Sequence, residues 1–315
     1  MKIYNKVKII KRFRLDKYLI KKFPNYSRAF LKLQIKQGNV LVNGQIKKPS
    51  YILKENDKVE TSVKEPEKSV LRPNPDINLK IIYEDENIIA IDKPAGISVH
   101  PTAGKKQNNT IANALLTYFP AIANVGDPST SSGQADLRPG IVHRLDKDTS
   151  GIMVVAKNQK TFDWLKKQFA ERKVEKKYIA LAYGRIKNKK GVISKSIGKT
   201  KDFRKRTIAP VKEQKEAITY YKILRHYNSF TLVDLQPKTG RTHQIRVHLA
   251  SIGHPIAGDK LYSFKNQKMP PDLKRQFLHA SHLKFSLPNG KIVELKSELP
   301  EDLQKIINTL SQARK

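Results

Sequence analysis

Three short stretches hold residue types that can do chemistry. In HRLDKDTSG (His143–Gly151) a carboxylate, Asp146, stands between Arg144 and Lys147, just ahead of an apolar run. EKKYIALAYG sets Tyr178 at the head of an apolar segment, and TGRTHQIRVH packs Arg241, His243, Arg246 and His248 into ten residues. An ionised carboxylate among cations is a competent nucleophile, because a neighbouring guanidinium favours its charged form even after burial. A phenol offers a stacking face, and an arginine cluster offers forked donors for phosphate. Each stretch also has a plainer role. Asp146 and Asp148 fit turn or cap positions, Tyr178 fits a core, and the arginines fit phosphate binding without catalysis.

Composition narrows the partners. The 315 residues carry 62 Lys+Arg against 28 Asp+Glu, a formal charge of +34. Such an excess repels itself unless a polyanion neutralises it, so nucleic acid or an anionic surface is expected, with simple solubility as the bland alternative. There is no cysteine, which excludes disulfides, thiolate catalysis and Cys-ligated zinc, and fits a reducing cytoplasm. Phosphate-cradling Gly-rich loops, dinucleotide fingerprints, His-Glu-x-x-His and Gly-x-Ser-x-Gly elbows are all missing. A reaction without cofactor or metal is the simplest expectation. No apolar run approaches the roughly 18 residues of a membrane span. The basic N-terminus lacks an apolar signal region and reads as part of the mature chain.

The elements that must position these residues fall into two parts. Residues 1–63 predict a small module with two short helices, "LDKYLIKKF" opened by Asp16 and "RAFLKLQIKQG" capped by Ser27 and stopped by Gly38. Asn43-Gly44 then signals a hairpin. Residues 1–54 hold 15 Lys+Arg and one acid, Asp16, a net of +14, which favours RNA binding over an ordinary solvated face. Residues 64–78 form a linker with three prolines between Lys64 and Asp76. From residue 79 to 315 many strand patterns alternate with few helices, namely TIANALLTYF, TFDWLKKQFAER and EDLQKIINTL. This predicts an α+β domain with a mixed, largely antiparallel sheet. Gly184–Arg206, with ten Lys+Arg and one acid, is expected either as a rim that grips RNA or as a disordered basic loop.

The leader's RLDKYL, YSRAFLKLQIKQGNVLVNGQ and LKENDKVE resemble the S4-like RNA-binding domain. Nearly the whole chain resembles the pseudouridine synthases of the large-subunit rRNA family, the RluA/RluC/RluD group. IAIDKPAGISVHPT is similar to that family's first motif, and LRPGIVHRLDKDTSGIMVVAKN to its catalytic motif. QPKTGRTHQIRVHLASIGHPIAGDKLY is similar to its third motif, and LHASHLKFSLP to its C-terminal strand. The resemblance implies isomerisation of uridine to pseudouridine in 23S ribosomal RNA, free or in an assembling large subunit, by a cytoplasmic monomer. D-type and C-type site choice both stay open. It also implies that Asp146 is the nucleophile, paired with Arg246, and that Tyr178 stacks on the flipped uracil and serves proton transfer. By the same resemblance Arg144 enters the RNA stack and Ile245 walls the pocket. Arg241 would hold a phosphate, and Lys93, Arg28 and Lys32 are expected to contact RNA.

Exchange of one glycosidic bond for another needs neither redox partner nor energy source, which agrees with the absence of cofactor motifs. The target base must leave its stack, at a cost of a few kcal/mol. His143, His243 and His248 are expected to be structural or hydrogen-bonding residues. Two other classes remain: an RNA chaperone with a degenerate catalytic domain, and a hydrolase that pairs Asp146 with a histidine base.

Overall fold

The computed structural model describes residues 3–6, 13–24, 26, 28–63, 71–101, 107–127, 138–200, 202, 205–211 and 213–312. These residues fall into two compact units, one up to Val63 and one from Leu71 onward.

In the first unit, helix α1 (Leu15–Lys22) buries Leu15 and Leu19, four residues apart. Helix α2 (Arg28–Lys36) buries Leu31 and Ile35 at the same spacing, which places each pair on one helix face. Ser27, the expected cap of α2, lies outside the described residues. These four side chains pack with Val40, Val42, Leu53 and Val59 against a three-stranded sheet. Its order is β1 (Ile3–Lys6), β3 (Lys58–Thr61), β2 (Val40–Val42), with both pairings antiparallel. The Asn43-Gly44 turn forms as its residue types require, with φ of 53° and 74°. The Asn43 carboxamide then ties the turn to β3, donating to Asp57 and accepting from the Lys58 amide, each at 2.8 Å.

The single acid of residues 1–54 is not an ornament on this basic surface. Asp16 is fully buried in the first turn of α1, bonded by Arg14 and by Arg28 at 2.8 Å, with Lys32 at 3.8 Å. The hydrogen bond from Arg14 outweighs burial and holds its carboxyl well below the usual range. One carboxylate thereby gathers three half-exposed cations into a single patch.

The second unit is built on a nine-stranded mixed sheet. Its strands are β4 (Ile81–Glu84), β5 (Ile88–Lys93), β6 (Ser150–Ala156), β7 (Glu175–Tyr183), β8 (Lys190–Ser194), β12 (Ile218–His226), β13 (Phe230–Pro237), β14 (Leu278–Ser286) and β15 (Ile292–Lys296). The order is β4-β5-β6-β14-β7-β13-β12-β8, with β15 also paired to β14. Only β6 and β14 run parallel; every other pairing is antiparallel. The α+β class with a largely antiparallel sheet therefore holds.

That parallel contact pairs Ser150 and Gly151 with His279 and Ala280; at Gly151 φ is +115° and a Cβ would stand 2.2 Å from the Ala280 carbonyl oxygen. No other residue fits, and the turn at 146–149 is delivered onto the sheet at this point. Strand β6 is buried along its whole length, as expected for an apolar run ending in the middle of a sheet.

Helices α3 (Ile111–Tyr118), α4 (Gln159–Ala170) and α6 (Glu301–Gln312) match the three expected from periodicity. Helix α5 (Gln244–Ser251) does not stand out in the sequence, and lies inside the arginine- and histidine-rich stretch. The basic segment after Tyr183 is also more ordered than a loop. It supplies β8 and then β9 (Ile197–Lys199), which pairs with β10 (Arg206–Thr207) and β11 (Gln214–Lys215) in a small separate sheet. Two large apolar clusters fill the unit, one around β5, β6 and α3 and one around β7, β13 and α6, with a small third around Ile197, Ala217 and Val247. Tyr178 packs against both large ones. Among the described residues no helix is long and apolar enough to cross a membrane.

Candidate active site

Where the two cores meet, a cleft of about 500 Å³ opens in the second unit. Asp146, Tyr178, Arg144, Arg241 and Ile245 all line it, so five of the expected site residues converge from three separate stretches of chain. Arg246 stands behind the lining, nearly buried, and reaches Asp146 from below: its Nη1 donates to Asp146 Oδ2 at 3.0 Å.

The geometry of that arginine comes from a residue to which the sequence assigned no role. Asp259, fully buried, accepts from Arg246 Nε at 2.7 Å and from Nη2 at 2.9 Å, a two-point fork. Asp259 Oδ1 also takes the amide protons of Leu261 and Tyr262, at 2.9 and 3.2 Å. Burial works against the charge on Arg246, but the hydrogen bond and field of Asp259, and then Asp146, outweigh it and raise its pKa. The guanidinium is thus fixed in plane, with its Nη1 turned toward Asp146. Asp259 sits in the quoted AGDKLY segment, 13 residues from Arg246, and only its burial marks it.

Helix α5 buries Gln244, Arg246 and His248 along with its apolar residues. A polar helix tolerates this because each group finds partners. Gln244 accepts from Thr239 Oγ1 and the Arg241 amide, and donates to the Ile218 carbonyl and Thr219 Oγ1. His248 lies between Thr219 Oγ1 at 2.9 Å and the Lys195 carbonyl at 3.0 Å, an arrangement suited to a neutral ring donating through Nε2. Burial lowers its pKa accordingly. The helix begins at His243, whose φ of 58° is left-handed.

His243 faces Asp146 at 3.8 Å, too long for a hydrogen bond, and contacts the Tyr262 hydroxyl at 2.9 Å through Nδ1. Burial pulls its pKa down, against the charge of Asp146. His143 is half-buried, accepts the Val154 amide proton at 3.0 Å and stacks on Phe169. Burial takes it to about 3, so it is neutral. All three histidines therefore hold structure by hydrogen bonds. Tyr178 is kept as a phenol: burial and the charge of Asp146 both raise its pKa.

Arg144 is exposed and leans on His100, its Nη1 3.1 Å from the ring Nε2. Burial lowers His100 to about 4, so that nitrogen is free to accept. The arginine is thus parked at the cleft rim by a weak neutral partner. Arg138 and Lys176 also line the cleft; burial lowers the Lys176 pKa to about 8.

Lys93 requires a correction. It was expected to contact RNA, but its side chain is fully buried and its ammonium donates to the carbonyls of Pro94, Ile97 and Lys147, at 2.7, 3.0 and 3.1 Å. A cation with all three protons committed to interior carbonyls has none for a phosphate. Arg28 and Lys32 belong to the Asp16 cluster of the first unit.

Burial pushes the Lys93 ammonium down to about 7, against the pull of Asp148 and Asp146. In the unfolded chain the same group titrates near 10.5. Between those values the unfolded state binds the extra proton, so rising pH stabilises the fold by about 1.4 kcal/mol per pH unit for that proton. The stability of the wild type relative to Lys93→Met should therefore grow by about 1 kcal/mol from pH 8 to pH 9, read by denaturant unfolding. A constant difference would mean that the three carbonyls keep the buried ammonium charged in the fold.

The cleft thus brings together a buried guanidinium aimed at Asp146, a neutral phenol beside it and a cationic rim. Comparison with known proteins defines the class. The RNA pseudouridylate synthase family model matches residues 87–251, and the S4 domain model matches residues 13–59. An uncharacterized RNA pseudouridine synthase of Aquifex aeolicus is 41% identical over 308 residues, 95% of this chain and 94% of the relative. A ribosomal large subunit pseudouridine synthase D of Pasteurella multocida is 37% identical, covering 94% of this chain and 91% of its own. The solved human RNA pseudouridylate synthase domain containing 1 superposes with a TM-score of 0.59 at 26% identity, over 77% of this chain and 97% of that one. The chain belongs to the RNA pseudouridine synthase family, with an S4 domain ahead of its catalytic fold.

Proposed function

We propose that this chain converts uridine to pseudouridine in 23S ribosomal RNA, with Asp146 as nucleophile. The C1′–N1 bond of the target nucleotide breaks, the uracil turns, and C1′ bonds to C5 while the C5 proton is lost and N1 gains one. Atoms and charge balance within the nucleotide and solvent, so neither redox group nor cofactor is required. The observation that carries this reading is the Asp146–Arg246–Asp259 chain at the floor of the cleft. A carboxylate whose one strong partner is a fixed guanidinium is held in one orientation toward the cleft.

Each lining residue then has work that its position supports. Tyr178, held as a phenol on the seam of the two cores, stacks on the extruded uracil and faces the proton traffic at C5. Ile245 closes the wall behind it. Arg144 can leave His100 and enter the gap left in the RNA stack, which offsets part of the few kcal/mol lost on unstacking. Arg241 grips a phosphate near the rim, alongside Arg138. Residues 1–63, with the Arg14, Arg28 and Lys32 patch, hold the RNA; residues 64–78 link them to the catalytic domain at 79–315. A cytoplasmic monomer suffices for this division of labour. The large ribosomal subunit is favoured as the target because relatives 37% identical over more than nine tenths of the chain bear the name synthase D.

Pseudouridine mapping of total RNA, from cells with and without this chain, tests the reading. Sites lost from 23S RNA in the deletion strain, and restored by the wild-type chain, are the expected result and decide between D-type and C-type positions. An unchanged map with RNA binding intact would leave a binding protein.

A further inference from the structure

The turn that presents Asp146 is held by a donor within it and by others that do not line the cleft. Thr149 N takes the Asp146 carbonyl at 3.1 Å. Gly96 N and Lys93 Nζ take the Lys147 carbonyl at 2.9 and 3.1 Å. The Asp148 carbonyl is held by Arg275 Nη1 at 3.2 Å, and Gln276 bonds the Thr149 hydroxyl at 2.7 Å. We infer that Arg275 is a positioning residue for the isomerisation, tying the Asp146 turn to the C-terminal helix; this rests on the reading of Asp146 given above.

Arg275 is built for such a link. Its side chain is only 10% exposed, although nothing in the proposed chemistry uses it. Nε and Nη2 form a fork onto Asp302, in the first turn of α6, at 2.7 and 3.1 Å. Nη2 also donates to Ser150 Oγ, on the first residue of β6, at 3.2 Å. Ser150 is held in turn by His279 Nδ1 at 3.0 Å. One planar guanidinium thus joins the catalytic turn, the start of β6 and α6, a span that the single point charge of a lysine cannot reproduce.

Without it, the Asp148 carbonyl loses its donor and the turn can shift against Arg246. Misplacement of a reacting group by about 1 Å costs about 100-fold in rate. Substrate affinity should not follow, because Arg275 does not line the cleft that takes the nucleotide. It lines a second cleft, with Gly96, Asp148 and Asp302, through which a small cation can reach its place.

The test uses the full chain and a 23S transcript labelled with tritium at uridine C5, since the C5 hydrogen must leave for pseudouridine to form. Arg275→Ala should lose about 100-fold in kcat with unchanged Kd for RNA. Millimolar guanidinium should restore at least tenfold of that, while equal sodium chloride restores nothing. Asp302→Asn, at a half-exposed position, should fold normally and lose several-fold in kcat alone. Wild-type kcat in both variants would overturn the inference. So would a loss in Arg275→Ala that only tracks its folded fraction by circular dichroism, with Asp302→Asn at full rate. If Arg275→Ala does not fold, Asp302→Asn decides. Asp146→Ala is run beside them: its activity would defeat the reading of the site itself, whereas an inactive Asp146→Ala beside fully active Arg275 and Asp302 variants defeats only the tie.

Discussion

Asp146→Ala is expected to abolish pseudouridine formation, by at least about 10⁴-fold in kcat, as removal of a nucleophile does elsewhere. RNA affinity should stay within a few-fold of wild type, because the cationic rim and the leader's patch are untouched. The fold should also survive. Arg246 keeps its two bonds to Asp259, so no buried charge is left alone. Asp146 is itself partly exposed, and a carboxylate held for chemistry rather than for packing is cheap to remove. Tritium release under single-turnover conditions, with RNA binding measured in parallel, reads both quantities. Turnover within tenfold of wild type would reduce Asp146 to a turn residue. A free base or a cut strand as product would instead point to a hydrolase.

The second large effect separates charge from geometry at Arg246. Arg246→Met leaves Asp259 buried without its counter-charge, and breaking such a pair costs about 3–5 kcal/mol. Its melting temperature should fall sharply and its activity vanish. Arg246→Lys keeps a positive charge but cannot hold two oxygens of Asp259 and still reach Asp146. It should recover much of the stability, yet remain about 10²–10³-fold slow, the range lost when a fixed donor is removed from a charged site. Equal stability and equal rate in the lysine variant would show that only charge matters there. In that case the planar fork would have no role in aiming Asp146.

Much of the architecture was legible in local pattern. Leu15/Leu19 and Leu31/Ile35 mark the buried stripes of two helices, and Asn43-Gly44 demands a turn with positive φ at both residues. The apolar run after Ser150 announces a strand buried on both faces. These features depend on neighbours within about four residues, and backbone sterics act over that range. Asp146 was legible for a related reason, as an acid in a strongly basic setting followed by a turn and a strand. Its partner Arg246, 100 residues away, followed only from resemblance.

Helix α5 escaped because it is buried nearly all round and alternates Gln244, Arg246 and His248 with Ile245, Val247 and Leu249, so no apolar stripe betrays it; the groups that satisfy the polar three lie on β12, at Thr239, Lys195 and Asp259. Lys93 looked like an RNA contact because a lysine usually stays in water. Only the packing of β5 against the 146–149 turn shows its ammonium closed in by three carbonyls. The sequence by itself determined the two-part organisation, the strands and helices with apolar periodicity, and the identity of the central carboxylate. The tertiary structure alone decided what aims that carboxylate: Asp259 behind Arg246, Lys93 and Arg275 on the turn's carbonyls, His100 under Arg144. Burial and long-range pairing are properties of the folded whole, and a lone charged residue has the same letter whether it meets water, a carbonyl or a counter-charge.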